Sequence, residues 1–238
     1  MKRKIQGIRK AKYFLFKNQI HRFFPVSKIN FMSYTGQLSK WIAAHRDLKF
    51  TTFPVKTFDY NQRYELHKFV IENELLTEEI DYLEFGVSTG NSFRWWIENI
   101  KHENASFFGF DTFTGLPEDW GPFKKGDMSN GNECPKIDDS RHQFYQGIFQ
   151  HTLYEFLASY ESKKQKVIHL DADLYSATLF VLTTLSPYLK KGDILLFDEF
   201  NVPLHEFKAF MEWTEAFYIN YSVIGEVNNY YQVAMKIV

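Results

Sequence analysis

Two pairs of acids close two apolar runs of this chain: Asp171 and Asp173 in VIHLDADLYS, and Asp198 and Glu199 in DILLFDEF. Asp171 and Asp173 are spaced i, i+2, so in an extended chain they point the same way. Carboxylates crowded into one small volume repel, and each raises the pKa of the other. A divalent cation removes that conflict, and an all-oxygen donor set favours Mg2+, Ca2+ or Mn2+ over zinc. The four acids are candidates for one metal site; the plain alternative is that they cap helices and pair with nearby lysines.

A second constellation lies earlier in the chain. In LEFGVSTGNS, Gly86 and Gly90 allow a tight turn and a close backbone approach beside Ser88. The helix that follows, with Asn91 or Ser92 as its cap, presents free N–H groups to a ligand. The spacing is not G-x-G-x-x-G, so the dinucleotide fingerprint fails at its second glycine. Glu84, just before Gly86, suits a ligand with a cationic amino group rather than a pyrophosphate. Asp111 closes the next apolar run, about 20 residues on, where a carboxylate commonly holds a pair of ribose hydroxyls. An adenosine carrying an amino-acid tail satisfies both positions, and S-adenosylmethionine is that ligand. Gln146 and Gly147 end the following run, at the expected adenine side.

These residues need a sheet to bring them together. The chain has 238 residues, 45% hydrophobic and 24% charged, enough for one good-sized core. Residues 61–77 carry Tyr64, Leu66, Phe69, Val70 and Asn73 near helical spacing. Then come strand IDYLEFGV, helix NSFRWWIENIK, strand ASFFGFD, strand RHQFYQGIF, helix HTLYEFLASY, strand KVIHLDA, helix ATLFVLTTLSPYL, strand DILLFDE and helix HEFKAFMEWTEAFY. SVIGEV and YYQVAMKIV read as a closing antiparallel pair. Such alternation predicts an α/β fold, a mainly parallel sheet sandwiched by helices. In open sheets of this kind, ligands bind beyond the carboxyl ends of the strands, where the strand order switches. Residues 112–140 are rich in Gly, Pro, Asp and Asn; with Trp120, Phe123 and Met128 they are a candidate lid. His169, inside its strand, reads as a hydrogen-bonded core histidine, and Trp95 and Trp96 as packing.

Charge is unevenly spread. Residues 1–46 hold 11 Lys or Arg and no acid, while the remainder holds 17 basic and 29 acidic residues, a balance of −12. This divides the chain into a helical basic N-terminal arm, residues 1–55, and a domain over 56–238. Charges interrupt every apolar stretch of the arm, unlike a secretory signal. Two readings of residues 1–46 stay open: peripheral contact with an anionic membrane, or packing on its own domain or on a sister subunit in a homo-oligomer. No nucleic-acid motif accompanies the charge. No apolar run approaches the roughly 20 residues a membrane span needs. The single cysteine, Cys134, forms no internal disulfide or zinc cluster, which suits a reducing compartment such as the cytoplasm.

LEFGVSTGNS, FFGFDTFTGLPEDW, QGIFQHTL, IHLDADLYSAT and LLFDEF, in that order, resemble the macrocin-type sugar O-methyltransferases, metal-dependent enzymes acting on macrolide and aminocoumarin antibiotics. The resemblance runs from about Tyr64 to Phe210. It implies a seven-stranded class I methyltransferase fold, S-adenosylmethionine as donor, and Mg2+ held by acids at the ends of two adjacent strands. By position, Asp171, Asp198 and Glu199 would be the metal ligands and Asp173 the general base, with Glu84 and Asp111 in the donor site. Some members use a histidine three residues after the first ligand; Leu174 stands there in this chain, which favours Asp173. The acceptor implied is a vicinal diol of a sugar, on a small molecule or a glycan. Two other functions remain to be weighed. One is a metal-dependent glycosyltransferase holding a nucleotide sugar through Asp171-Ala172-Asp173. The other is a methyltransferase-like domain that only binds.

Overall fold

The structure, a computed structural model, describes residues 2–74, 76 and 79–238. Two helices open the chain, α1 (Lys2–Lys17) and α2 (Val26–Ala44), joined by a short 3-10 turn at Ile20–Phe23. Strand β1 (Phe50–Thr51) and helix α3 (Gln62–Asn73) follow. The alternating part then runs β2 (Ile80–Phe85), α4 (Asn91–Asn99), β3 (Ser106–Asp111), β4 (His142–Gln146), α5 (Phe149–Leu157), β5 (Gln165–Leu170), α6 (Tyr175–Leu185), β6 (Ile194–Phe197) and α7 (Glu206–Phe217). The hairpin β7 (Tyr221–Val227) and β8 (Gln232–Ile237) closes it. The helix expected over 61–77 is present as α3; Leu75, Thr77 and Glu78 lie outside the described residues.

The strands form one sheet in the order β1-β7-β8-β6-β5-β2-β3-β4. Only β8 runs antiparallel to its neighbours. The seven expected strands are all there, and β1 adds an eighth, a two-residue strand parallel to β7. A run this short carries no alternation to read; backbone pairing with the hairpin makes it a strand. The chain winds outward through β3 and β4 on one side of β2, then returns through β5 and β6 on the other. The strand order therefore switches between β2 and β5, which pair in parallel with Glu84 opposite His169.

Helices cover both faces. Helices α5, α6 and α7 pack with Phe85, Phe110, Leu170 and Phe197 on one face. Helices α3 and α4 pack with Ile80, Tyr82, Phe107 and Leu196 on the other. The second half of α2 belongs to the first of these layers. Leu38 and Trp41 are buried there, with the Trp41 indole against Phe200 and its Nε1 donating to the Tyr221 hydroxyl at 2.8 Å. Part of the 1–55 segment, from about Tyr34 onward, is thus packed into the domain, while the residues before it are not.

Removing Trp41 would empty a site enclosed by Phe200, Phe207, Phe210 and Tyr230. Trp41→Ala is expected to cost about 3–5 kcal/mol of folding stability, while Phe16→Ser, on the exposed first helix, should leave it unchanged. Denaturant unfolding of both variants checks this.

Candidate active site

At the switch point, β2 ends in Phe85 and turns at Gly86, and β5 ends in Leu170 and turns at Asp171. The two turns touch. A Cβ on Gly86 would sit 1.8 Å from the Asp171 carbonyl oxygen, and the φ of Gly86 is +100°, so only glycine fits. Above them opens a cavity of about 540 Å³ lined by Gly86, Ser88, Asp111, Asp171, Asp173 and Glu199 among others. Six of the residues singled out in the sequence therefore face one volume.

Ser88 and Asp111 meet across the ends of β2 and β3. One Asp111 oxygen accepts the Ser88 N–H at 2.7 Å, and the other accepts the Phe113 N–H at 2.6 Å. These bonds hold the carboxylate at the cavity wall. Gln146 is exposed and its amide donates to Asn132 Oδ1 at 2.7 Å; neither it nor Gly147 lines the cavity. The helix expected to start on an Asn91 or Ser92 cap is capped instead by Gly90, in a left-handed conformation with no side-chain cap. Gly90 lies beneath Pro135, Asn91 is exposed, and Ser92 is buried with its hydroxyl 3.3 Å from His169 Nδ1.

Glu84 also lies away from the cavity. It is fully buried, accepting the Tyr82 hydroxyl, which in turn lies 2.9 Å from His169 Nδ1. The reason is strand alternation: Tyr82 and Glu84 share one face of β2, the face covered by α3 and α4. In this structure Glu84 belongs to a buried polar cluster behind the turn rather than to the cavity surface.

The acids at the ends of β5 and β6 do converge. Asp173 reaches the cavity by a different geometry from the extended i, i+2 spacing. Strand β5 has ended at Leu170, and Asp173 has φ +57°, in a tight turn closed by Leu174 N–H donating to the Ala172 carbonyl at 2.5 Å. A non-glycine residue held in that region stores strain, a feature that clusters at functional sites. Asp173 and Glu199 are neighbouring carboxyls on the cavity wall. Burial first, then the charge of Asp173, push Glu199 up to about 10, and burial also raises Asp173 above the ordinary carboxylate range, with its interaction with Glu199 acting the other way. Asp171 is held well above the usual carboxylate range by desolvation at the cavity floor and then by Asp198, Asp173 and Glu199. Glu206, at the head of α7, is raised by burial and accepts the Glu199 backbone N–H at 3.0 Å.

Sequence reasoning passed over a cation in this group. Arg63, from the first turn of α3, lies 3.3 Å from Asp198 and 3.8 Å from Asp171, and Tyr60 donates to the same Asp198 oxygen. The signal was faint: an arginine in the early turns of a helix is normally solvated, and this one is 6% exposed. His169 proves to be a core histidine as expected, and also stands 4.0 Å from Asp198. The expected lid residues divide. Met128 lines the cavity with Leu116 and Glu118, while Trp120 and Phe123 stack on each other outside it.

A divalent cation suits this donor set. Among the described residues Arg63 pairs with Asp171 and Asp198, while Asp173, Glu199 and Glu206 have no ion-pair partner, and Asp198 Oδ1 and Glu199 Oε2 are buried without a hydrogen-bond partner. His169, Asp171 and Asp198 also bring one ligand atom each within 4.8 Å of one another.

Comparison with known proteins agrees with this architecture. Residues 83–200 match the family described as a methyltransferase domain. Among solved structures, the calicheamicin methyltransferase CalS11 superposes with TM-score 0.59 at 19% identity, covering 86% of this chain and 91% of that one. An apo structure of CalS11, described as a TDP-rhamnose 3'-O-methyltransferase, gives TM-score 0.54 at 19% identity over 86% and 93%. The O-methyltransferase NovP gives 0.53 at 18% identity over 74% and 78%. No curated protein matches the chain.

The proton on Glu199 has a measurable consequence. In the unfolded chain this carboxyl ionises near its ordinary 4.5, but in the native state only near 10. Between those values the native state binds the extra proton, so its stability falls as pH rises. In EDTA, Glu199→Gln should show a shallower decline across that window than the parent protein. Urea midpoints taken at several pH values would read it, and equal slopes would contradict the assignment.

Proposed function

We propose that this chain, whose residues 83–200 match a methyltransferase domain, transfers the methyl group of S-adenosylmethionine to a hydroxyl oxygen of a sugar or similar vicinal diol. The observation that carries the reading is the single cavity in which Ser88 and Asp111 face Asp171, Asp173 and Glu199. One wall suits the adenosyl part of the donor and the other suits a hydroxylated acceptor. The TDP-rhamnose 3'-O-methyltransferase CalS11 and the O-methyltransferase NovP share the fold. The Asp-Ala-Asp motif lies within the methyltransferase domain, which weighs against a nucleotide-sugar site.

In this reading Gly86 lets the donor approach the backbone, and Asp111 holds its ribose hydroxyls. Asp171, Asp198 and Glu199 would hold a hard divalent cation, whose chemistry is to bind neighbouring acceptor oxygens and make their protons more acidic. Asp173 lines the cavity and burial raises its pKa, which makes its carboxylate a stronger base than an ordinary one. It takes the acceptor's hydroxyl proton as the oxygen attacks the methyl carbon. The O–CH3 bond forms as the S–CH3 bond breaks, leaving S-adenosylhomocysteine. Leu116, Met128 and Phe149 line the cavity with apolar surface, excluding water that would compete with the acceptor.

Calorimetric titration with S-adenosylhomocysteine tests the donor half. Micromolar binding is expected, and Asp111→Asn should weaken it about 10- to 100-fold through the lost charge-assisted bonds. No binding with or without Mg2+ would refute the reading. Asp173→Asn should bind the product equally well while lowering turnover about 100- to 10,000-fold, measured on any diol acceptor the parent enzyme methylates.

A further inference from the structure

Residues 4–33 of the arm make no layer of the fold. From Lys4 to Ser33 every residue is exposed except Ile20, which is half-buried. Yet large apolar side chains stand far into water here: Phe16 is 75% exposed, Phe23 80% and Met32 71%. Ile5, Ile8 and Leu15 recur near helical spacing along one side of α1, with Phe16 beside them, and all four are exposed. Val26, Ile29 and Met32 repeat the pattern at the start of α2, and the exposed Phe23–Phe24 corner joins the two helices. A monomer in water rarely leaves so much contiguous apolar surface uncovered.

Charge selects the occupant. Residues 1–33 hold nine Lys or Arg and no acid. Helix α1 has no acidic residue in its first turn to favour its dipole, and seven of its 16 residues are cations. Like charges three and four apart destabilise a helix standing alone. A partner that covers the apolar side must therefore also neutralise the cations. Two arms packed on each other would juxtapose the same positive charge, whereas an anionic lipid surface offers hydrocarbon and negative headgroups together. No described helix is long and apolar enough to cross a membrane, so the contact lies in the interface plane.

We propose that residues 2–33 dock the protein on the surface of a membrane rich in anionic lipid, with the Ile5–Ile8–Leu15–Phe16 side of α1 and the Phe23–Phe24 corner entering the headgroup layer. The arm is rooted beside the cavity. Glu212 of α7 accepts hydrogen bonds from Tyr34 of α2 at 2.8 Å and from Tyr175, two residues after Asp173, at 2.5 Å. Docking would hold the cavity at a fixed distance from the lipid surface.

Vesicle flotation of the full chain tests this without reference to catalysis. Vesicles of phosphatidylcholine with about one third phosphatidylserine should carry the protein, and pure phosphatidylcholine vesicles should not. Raising salt from about 0.1 M to about 1 M, which shortens the screening length from about 10 Å to about 3 Å, should release most of it. Ile8→Ser with Phe16→Ser should lower partitioning at least about tenfold, and Lys10→Glu with Lys12→Glu should do the same, both with unchanged thermal midpoints. Three results would overturn the proposal: no partitioning into anionic vesicles, equal partitioning into neutral ones, or variants that float like the parent. A chain that ignores vesicles but is a dimer by light scattering, and a monomer as Ile8→Ser with Phe16→Ser, would assign the surface to a second copy.

Discussion

Too many carboxylates for one cation is the constraint around which this structure is organised. Asp171, Asp173, Asp198, Glu199 and Glu206 sit within two strand ends and one helix head, with the Arg63 guanidinium reaching Asp171 and Asp198. Isolated buried charges of this kind carry a large desolvation cost unless paired or neutralised. The fold answers in two ways. It delivers Arg63 to Asp198 and Asp171, and burial raises the Glu199 carboxyl so that it favours its protonated form. A cation bound among the acids would be a third answer, replacing that proton. The same crowding that strains the ligand-free protein would thus be the source of affinity for a metal and of a carboxylate able to take a proton.

The sequence disclosed the site more fully than it disclosed how the site is built. Acids repeated at strand ends, with a glycine turn ahead of them, located the cavity because strand ends in a parallel sheet must converge at the switch point. The sandwich was legible because most of its strands are short apolar runs with a helical period after them, and the closing hairpin because two apolar runs meet across a short turn. What escaped reading depended on contacts distant in the chain. Asp173 faces the cavity through a left-handed turn, not through strand alternation. Glu84 follows the alternation of β2 and so points into the α3–α4 layer, where Tyr82 and His169 satisfy it. Arg63 and Tyr60 look like surface residues of a helix start, and only the tertiary fold shows them at the acids.

How those two residues get there explains the segment between α2 and α3. Strand β1 is too short to hold itself, and Glu226 of β7 anchors it. One oxygen of that buried carboxylate accepts the Thr52 and Phe53 N–H groups, each at 2.8 Å. The β7–β8 turn then takes over. Asn228, Asn229 and Tyr230 all have positive φ, so the turn projects two amide side chains toward the incoming strap. Asn229 exchanges hydrogen bonds with the Val55 backbone at 2.9 and 2.8 Å, and Asn228 does the same with Asp59 at 3.1 and 2.9 Å. The strap is pinned up to the residue before Tyr60, whose hydroxyl meets Asp198. A hairpin turn at one end of the chain thereby sets where a tyrosine and an arginine from the other end enter the acid cluster. The β1 edge of the sheet is thus linked to the acid cluster by side-chain hydrogen bonds to the backbone of the strap and by the Tyr60 hydroxyl at Asp198.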